Sequence, residues 1–514
     1  MKILAVTMGK NLEVFLRLYE LLQNDLVMEP PAIFAADSLF FHKIMHHYSI
    51  LQKADVLKEW ELTDKGSKIQ PNLRRLQYYE KQIGDPFLWN ALLADRRIFF
   101  GKLCKVKQDY KSRFTYQQLL GILNVFLDEI DTFIKKHKPD LILSFGTATL
   151  ADYLFFLFAK QKNIPYRQLK STKIKNYIAL NDTATGISTA IRSRYYSAQP
   201  FNNITIKEAK DYLNSITVKG LCYEGAILFG KRKMINKLCK APFAFMGALR
   251  AFWQLRNNTV IKNDCHVPPL ILSALYQNIV QPLKALALTH TLPFIGLKQL
   301  EKESPFLFYP LHFEPEVSLQ VYGRPYQNQI ELIRNLSFNV PINMKIVVKE
   351  HPRSLGFRSR SYYRKLLEIP NVRMVDPFVP SIHIVRKSAV VAVVSGTIGL
   401  EAAVCGKPVL IFGKTPYEIL PKTMVRKVNI TNIGQTLIEL MNTYSYDKKA
   451  LINYIASIIN ESVSVDLYTT LLGKPQRFSI NTDSLDSQQK EIKAYEKLAD
   501  YIKRSFDSAN YKTS

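Results

Sequence analysis

The stretch from residue 343 to 413 constrains the fold of this chain more than any other, because it repeats strand, turn and helix three times. Residues 345–348 form a short apolar, β-branched run, the pattern of a buried parallel strand. The run ends in Lys349-Glu350-His351-Pro352, a charged cluster where the strand leaves its sheet. Residues 390–394 form a second such strand, which ends in Ser395-Gly396-Thr397-Ile398-Gly399 and passes into a helix carrying Glu401, Ala402 and Ala403. Lys407-Pro408 leads into a third strand over 409–412. This alternation implies a doubly wound α/β domain, whose ligands lie at the carboxyl ends of the strands.

Both polar clusters fall at those ends. Where a strand becomes a helix, free backbone N–H groups and the positive helix end suit a phosphate. Gly396 permits close approach of the backbone, and the hydroxyls of Ser395 and Thr397 add hydrogen bonds. His351 can bind the same phosphate or protonate a leaving one, since imidazole changes charge near neutral pH. Taken singly, a helix cap explains Ser-Gly-Thr and a turn explains His351-Pro352 equally well. Their joint placement on strand ends points to a nucleotide or phosphate site.

Three blocks in this order resemble the capsule polysaccharide synthesis family and related bacterial glycosyltransferases of the GT-B fold. They are Phe308-Tyr309-Pro310-Leu311-His312-Phe313-Glu314-Pro315-Glu316, then Lys349-Glu350-His351-Pro352, then Ser395-Gly396-Thr397 with Glu401-Ala402. The resemblance is clear over residues 306–417 and looser in the amino-terminal half. It implies two Rossmann-like doubly wound lobes with a deep cleft between them, the donor lying on the carboxy-terminal lobe. It further implies that Ser395, Gly396 and Thr397 bind the donor phosphate. Lys349, His351 and Arg353 would balance the leaving charge, and Glu401 would hydrogen-bond a ribose. Glu316, ahead of Glu314, would act as a base or position the acceptor, although both can instead anchor their loop. Relatives with the His-Pro block use CMP-linked acidic sugars such as Kdo or sialic acid. Here Ser-Gly-Thr replaces the Ser-Ser pair of some relatives, so CMP and UDP both stay open as the donor nucleotide.

The 514-residue length suits two or three domains. With 47% apolar and 22% charged residues the chain is globular. A net charge of +27 calls for an anionic partner. Phosphorylated sugars and an anionic membrane surface both qualify, and no zinc-finger spacing or arginine tail favours nucleic acid. Cys104, Cys222, Cys239, Cys265 and Cys405 show no paired spacing, as expected of free thiols in a reducing compartment. The amino terminus opens on a strand without a signal-peptide layout, and no apolar run reaches the ~18 residues of a spanning helix. The expected location is the cytoplasm, with a place on the inner face of the membrane open.

In chain order, residues 1–215 read as an amino-terminal Rossmann-like acceptor lobe. Its strands fall at 2–7, 32–36 and 141–144, with a long helix over 116–137. Thr147 and Asp152 follow the 141–144 strand and are candidate acceptor contacts, while Asp182 is a weaker catalytic candidate. His42 and His46 lie four apart, yet without an accompanying Glu they read as surface histidines rather than zinc ligands. Residues 216–300 form a basic helical insertion. Within it Lys231, Arg232, Lys233, Lys237 and Lys240 precede Phe243, Phe245, Met246, Phe252 and Trp253. That composition suits an anionic membrane interface, and a packed inter-domain helix with a solvated basic face fits it equally. Residues 301–475 form the nucleotide-sugar lobe, and 476–514 a carboxy-terminal helix and tail, a helix that in GT-B enzymes returns to the first lobe.

There is no GxGxxG, no P-loop spacing and no DxD pair after a strand. A metal-independent enzyme without a cofactor is therefore expected, with the nucleotide sugar entering as substrate and a basic cleft neutralising the leaving phosphate. The leading expectation is a glycosyltransferase acting on a surface polysaccharide or glycolipid. A sugar-nucleotide epimerase of the same fold, a polyol-phosphate transferase and a non-catalytic anion- or membrane-binding protein remain alternatives.

Overall fold

The computed structural model describes residues 1–85, 87–146, 148–226, 230–258, 264–474, 477–479 and 486–510. Its strands are β1 (Ile3–Met8), β2 (Ala32–Ala36), β3 (Asp55–Lys58), β4 (Leu141–Ser144), β5 (Tyr166–Ser171) and β6 (Tyr177–Asn181). They continue with β7 (Phe306–Pro310), β8 (Lys345–Lys349), β9 (Val372–Val375), β10 (Val390–Val393), β11 (Val409–Ile411), β12 (Val425–Lys427) and β13 (Val463–Ser464). Two sheets result. The first has the order β13-β6-β5-β4-β1-β2-β3 and the second β12-β11-β10-β7-β8-β9. All neighbours in the second sheet are parallel, and in the first only β6 runs against its neighbours. Both sheets contain the doubly wound order in which the first strand lies centrally and the next two step to one side, so each lobe is Rossmann-like. Central strands such as Leu307, Phe308, Val347 and Val391 are fully buried, which is why they read as unbroken apolar runs.

The lobes meet along the carboxyl ends of their strands. Arg96 Nη1 donates to Pro315 O at 2.9 Å, Gln320 Nε2 to Leu93 O at 2.9 Å, and Arg324 Nη1 to Tyr153 Oη at 3.1 Å. Helices Thr189–Tyr196 and Asn203–Lys219 place Ile191, Ala209, Tyr212, Leu213 and Ile216 in one core with Phe306 and Tyr454 of the second lobe. The chain returns to the first lobe at β13, and Val463, Leu467 and Leu471 join its core. Helix Ser487–Asn510 follows, burying Tyr495, Leu498 and Ile502 against Phe15, Leu18 and Leu22 of helix Asn11–Gln23. The first lobe is therefore closed by segments from both ends of the chain.

The basic insertion forms helices Lys231–Cys239, Ala241–Leu255, Leu270–Leu275 and Gln281–Thr291. It is tied to both lobes. Asp264 accepts from Ser38 N at 2.6 Å and His266 Nε2 pairs with Glu59 at 2.9 Å, both on the first lobe. Gln281 Nε2 donates to Arg353 O at 2.8 Å in the loop after β8. Gly356 makes this last contact possible: its φ is +79°, and an added Cβ would lie 2.2 Å from Gln281 O. Gly356→Ala is expected to lower the melting temperature by an amount equivalent to about 3 kcal/mol. Gly247→Ala, in a helix with open space around the added carbon, should leave it unchanged or slightly raised.

Candidate active site

The loops that follow β7 and β8 are held by one buried guanidinium. Arg358 pairs with Glu350, lies 3.4 Å from Glu314 Oε1, and donates to His312 O. Tyr363 Oη donates to Glu350 at 2.9 Å, so the first acidic residue after β8 is fully engaged. Glu314 is engaged more heavily still. It accepts from Gln108 Nε2 at 2.8 Å and from Tyr110 Oη of the first lobe, and from Gln329 Nε2 of the second. With Tyr362 Oη also 3.4 Å away, it is left no free lone pair. The expected base or acceptor-positioning role for Glu314 is replaced by the anchoring one.

His312 carries this order across to the Ser-Gly-Thr turn. Gln329 fixes its backbone through both His312 N and O. Its ring Nε2 accepts from Val394 N at 3.2 Å and Ser395 N at 3.4 Å. Ser395 Oγ donates to Ser318 O at 3.1 Å. The N–H of Ser395, expected to face a phosphate, is thus spent on His312. The amides of Gly396 and Thr397 donate no hydrogen bond among the described residues. Gly396 itself is exposed with φ +104°, a conformation reserved for glycine. The helix that follows, Ile398–Val404, is only 7 residues long, so its dipole adds little and the individual N–H groups matter more.

Lys349, the last residue of β8, is 6% exposed. No carboxylate lies within ion-pair distance of its ammonium among the described residues, although Glu350, Asp376 and Glu401 all act on it from farther off. Burial pushes its pKa down to about 8. Glu401 is buried nearby and is pushed up to about 7 by burial, held back by a hydrogen bond from the Leu221 N–H and by Lys349. Its carboxylate lies under the Gly220–Leu221 segment rather than in open cleft, so the expected ribose contact is covered by backbone in this arrangement.

His351 is exposed to solvent on the cleft wall, and its Nδ1 accepts from Arg353 N at 3.2 Å. That bond selects the tautomer with hydrogen on Nε2. Enclosure by protein, then the charges of Lys349, Arg353 and Arg358, lower its pKa to about 4. At neutral pH its Nε2–H is a neutral donor. Arg353 is exposed with its guanidinium 5.5 Å from the Phe313 ring centre. Glu316 is exposed, and its carboxylate makes no hydrogen bond among the described residues, while Arg96, Arg353 and Lys173 all lie within electrostatic range of it.

The first lobe contributes a less open surface. Asp152 accepts from Ser144 Oγ at 3.2 Å beneath Gly146, and burial raises its pKa to about 7. Thr147 lies outside the described residues. Asp182 accepts from Thr189 N at 2.9 Å at the start of helix Thr189–Tyr196, beside its N-cap Ser188. His42 Nδ1 lies 2.7 Å from Ser38 O, and no group of three or more metal-ligating side chains occurs among the described residues. Sequence reasoning missed Arg358, Tyr468, Lys474 and Arg477, which stand outside every motif and reach the cleft through tertiary contacts, whereas Lys173 belongs to the 172–182 stretch whose basic residues the resemblance sets near the cleft to meet an acidic acceptor.

Residues 290–444 match the family model described as "Capsule polysaccharide biosynthesis protein". The chain thus resembles that family over the part of the second lobe that carries all the expected donor-site residues. No curated protein matches the chain. Among solved structures it is similar to the β-Kdo 2,4-transferase KpsC of Thermosulfurimonas dismutans, at 11% identity over 66% of this chain and 84% of that one, with a TM-score of 0.35. It is also similar to the UDP-GlcNAc 2-epimerase of Neisseria meningitidis bound to UDP-GlcNAc, at 15% identity over 90% and 99%, with a TM-score of 0.28. A third is Anabaena Alr3699/HepE in complex with UDP and glucose, at 10% identity over 97% and 100%, with a TM-score of 0.23.

The His312 geometry sets a pH dependence of stability. Burial, followed by the charges of Arg358 and His351, lowers the His312 pKa to about 4, against 6.5 when unfolded. Between those values the unfolded chain binds the proton and the folded one does not, so stability falls as pH drops from 6.5 towards 4. His351 acts in the same sense, and Glu401 and Asp152, raised to about 7, act in the opposite one, so the difference between the melting curves of the parent and His312→Gln isolates the His312 share. His312→Gln should be the less stable protein at pH 7, and the gap should narrow as pH drops from 6.5 towards 4.

Proposed function

We propose that this chain is a glycosyltransferase that moves a sugar from a nucleotide donor to a surface polysaccharide or glycolipid. The observation that carries this reading is Lys349: a buried ammonium without an ion-pair partner at a strand carboxyl end, beside the neutral donor His351 and the open amides of Gly396 and Thr397. Together these groups suit the phosphate of a departing nucleotide, whose charge grows as the C1–O bond breaks. No step needs a metal, since a fixed ammonium and oriented N–H donors can take the charge. Glu316, free of partners in the described residues and ringed by cations, is the group that takes the proton from the attacking acceptor hydroxyl.

Melting temperatures should rise with one member of a panel of CMP, CDP, UDP and GDP. A ligand at ~100 times its dissociation constant stabilises by about 2.7 kcal/mol. Lys349→Gln should remove that shift. With the donor so identified, His351→Ala should lower turnover by roughly 10²-fold with little change in melting temperature. A rise with no member of the panel overturns the reading. Product formed without any acceptor transfers it to an epimerase.

The proposed place of action is the inner face of an anionic membrane. No helix among the described residues is long and apolar enough to cross one. Helix Ala241–Leu255 supports surface contact: Phe243, Met246, Arg250 and Trp253 recur at helical spacing on one face, with Phe243 78% and Trp253 59% exposed. No Asp or Glu occurs between Glu224 and Asp264. Basic residues near a charged surface contribute about 1 kcal/mol each. The protein should float with phosphatidylglycerol-containing vesicles, and Phe243→Ser with Trp253→Ser should abolish flotation without altering nucleotide binding. A parent protein that does not float sinks the membrane assignment.

A further inference from the structure

We propose that Lys173, Lys474 and Arg477, gathered around the ring of Tyr468, form a binding site for an anionic glycan on the wall of the cleft that faces Glu316. Three cations surround one ring. Lys173 Nζ and Lys474 Nζ lie 5.3 Å from its centre, and Arg477 Cζ 5.4 Å. Among the described residues none of the three has a carboxylate within ion-pair distance. The nearby acid Glu224 is committed elsewhere, accepting from Tyr468 N at 3.1 Å and Thr469 N at 2.7 Å. Like charges this close repel unless an anion joins them, and a protein cleft screens that repulsion less than open water does.

The cluster is built rather than incidental. Tyr468 is wedged against Gly225, where an added Cβ would fall 2.1 Å from its ring. Arg477 Nη1 donates to Gly225 O at 2.6 Å. Lys173 occupies the left-handed region at φ +64°, a cost that a non-glycine residue bears when its position matters, and its ammonium is also 4.9 Å from the Tyr223 ring. A fourth cation approaches from the β1 turn: a Cβ on Gly473 would lie 2.9 Å from Lys10 Nζ. The cations draw the Tyr468 hydroxyl below the ordinary phenol range, Lys173 foremost.

Position decides what the anion is. Lys173 is within electrostatic range of Glu316, and Arg477 of Arg353, so the cluster sits across from the donor groups. If the chain is the transferase proposed above, the molecule beside Glu316 is the acceptor. The cluster then specifies that the acceptor carries carboxylate or phosphate near the hydroxyl that reacts. Donor and acceptor would each have their own cations, Lys349 for one and the Tyr468 group for the other.

Calorimetric titrations with a galacturonic acid trimer, a ribitol phosphate trimer and neutral maltotriose test this on the full chain. At least one anionic trimer should bind, with affinity falling as salt rises, and maltotriose should not. The trimer that binds more tightly tells carboxylate from phosphate. Lys474→Gln, at an exposed position, and Lys474→Gln with Arg477→Gln should weaken that trimer at least tenfold, leaving the nucleotide-induced melting shift unchanged. The site is overturned if neither anionic trimer binds, if maltotriose binds equally, or if Lys474→Gln leaves affinity intact. Loss of trimer binding in the variants, in a protein that responds to no nucleotide, would uphold the anion site and refute the transferase.

Discussion

The cleft depends on one buried guanidinium. Arg358 is among the largest fully buried side chains, and its charge is shared between Glu350, Glu314 and the carbonyl of His312. Those partners belong to the loops after β7 and β8, and through Glu314 the same network reaches Gln108 and Tyr110 on the other lobe. Removing one partner of such a buried pair costs about 3–5 kcal/mol, because a charge is then left without compensation. The network therefore fixes loop positions and lobe spacing together. The loops after β7 and β8 inherit their geometry from that set of contacts.

The acidic groups of the cleft divide into two kinds. Glu350 and Glu314 are consumed by Arg358 and by hydroxyl and amide donors, and Glu401 is covered by Leu221. Glu316 alone of the four expected or adjacent glutamates is exposed with a carboxylate that makes no hydrogen bond among the described residues. The cations divide in the same way. Arg358 is spent on structure, whereas Lys349, Lys173 and Lys474 have no carboxylate within ion-pair distance among the described residues. A protein tolerates unpaired cations in an enclosed cleft when its ligands bring the opposite charge. The overall charge of +27 thus has a local expression where chemistry would occur.

Much of the fold was legible in the sequence. The apolar runs at 345–348, 390–394 and 409–412 became β8, β10 and β11, and the expected helix over 116–137 appears as Tyr116–His137. These are local patterns, and burial on both faces of a parallel strand leaves a run that no surface segment shows. Where the chain passes between lobes was not legible. Helix Asn203–Lys219 looks like any amphipathic helix, and nothing in its own residues says that its apolar face shares a core with Tyr454 as well as with Tyr177 of the preceding sheet. The two-residue strand β13 is shorter than any periodicity can register.

The sequence by itself determined the strand-end positions of Lys349, His351 and Ser395–Thr397, because they follow directly from where buried runs stop. It could not say how those groups are charged or occupied. Tertiary structure decided that His351 carries its hydrogen on Nε2, that Glu314 is saturated by Gln108, Tyr110, Gln329 and Arg358, and that His312 takes the Ser395 amide. It also brought Lys173, Lys474 and Arg477 to one tyrosine from loops some three hundred residues apart. The physical reason is range: strand and helix patterns are written over a few neighbouring residues, whereas desolvation and charge act through space between segments that only the folded chain makes adjacent.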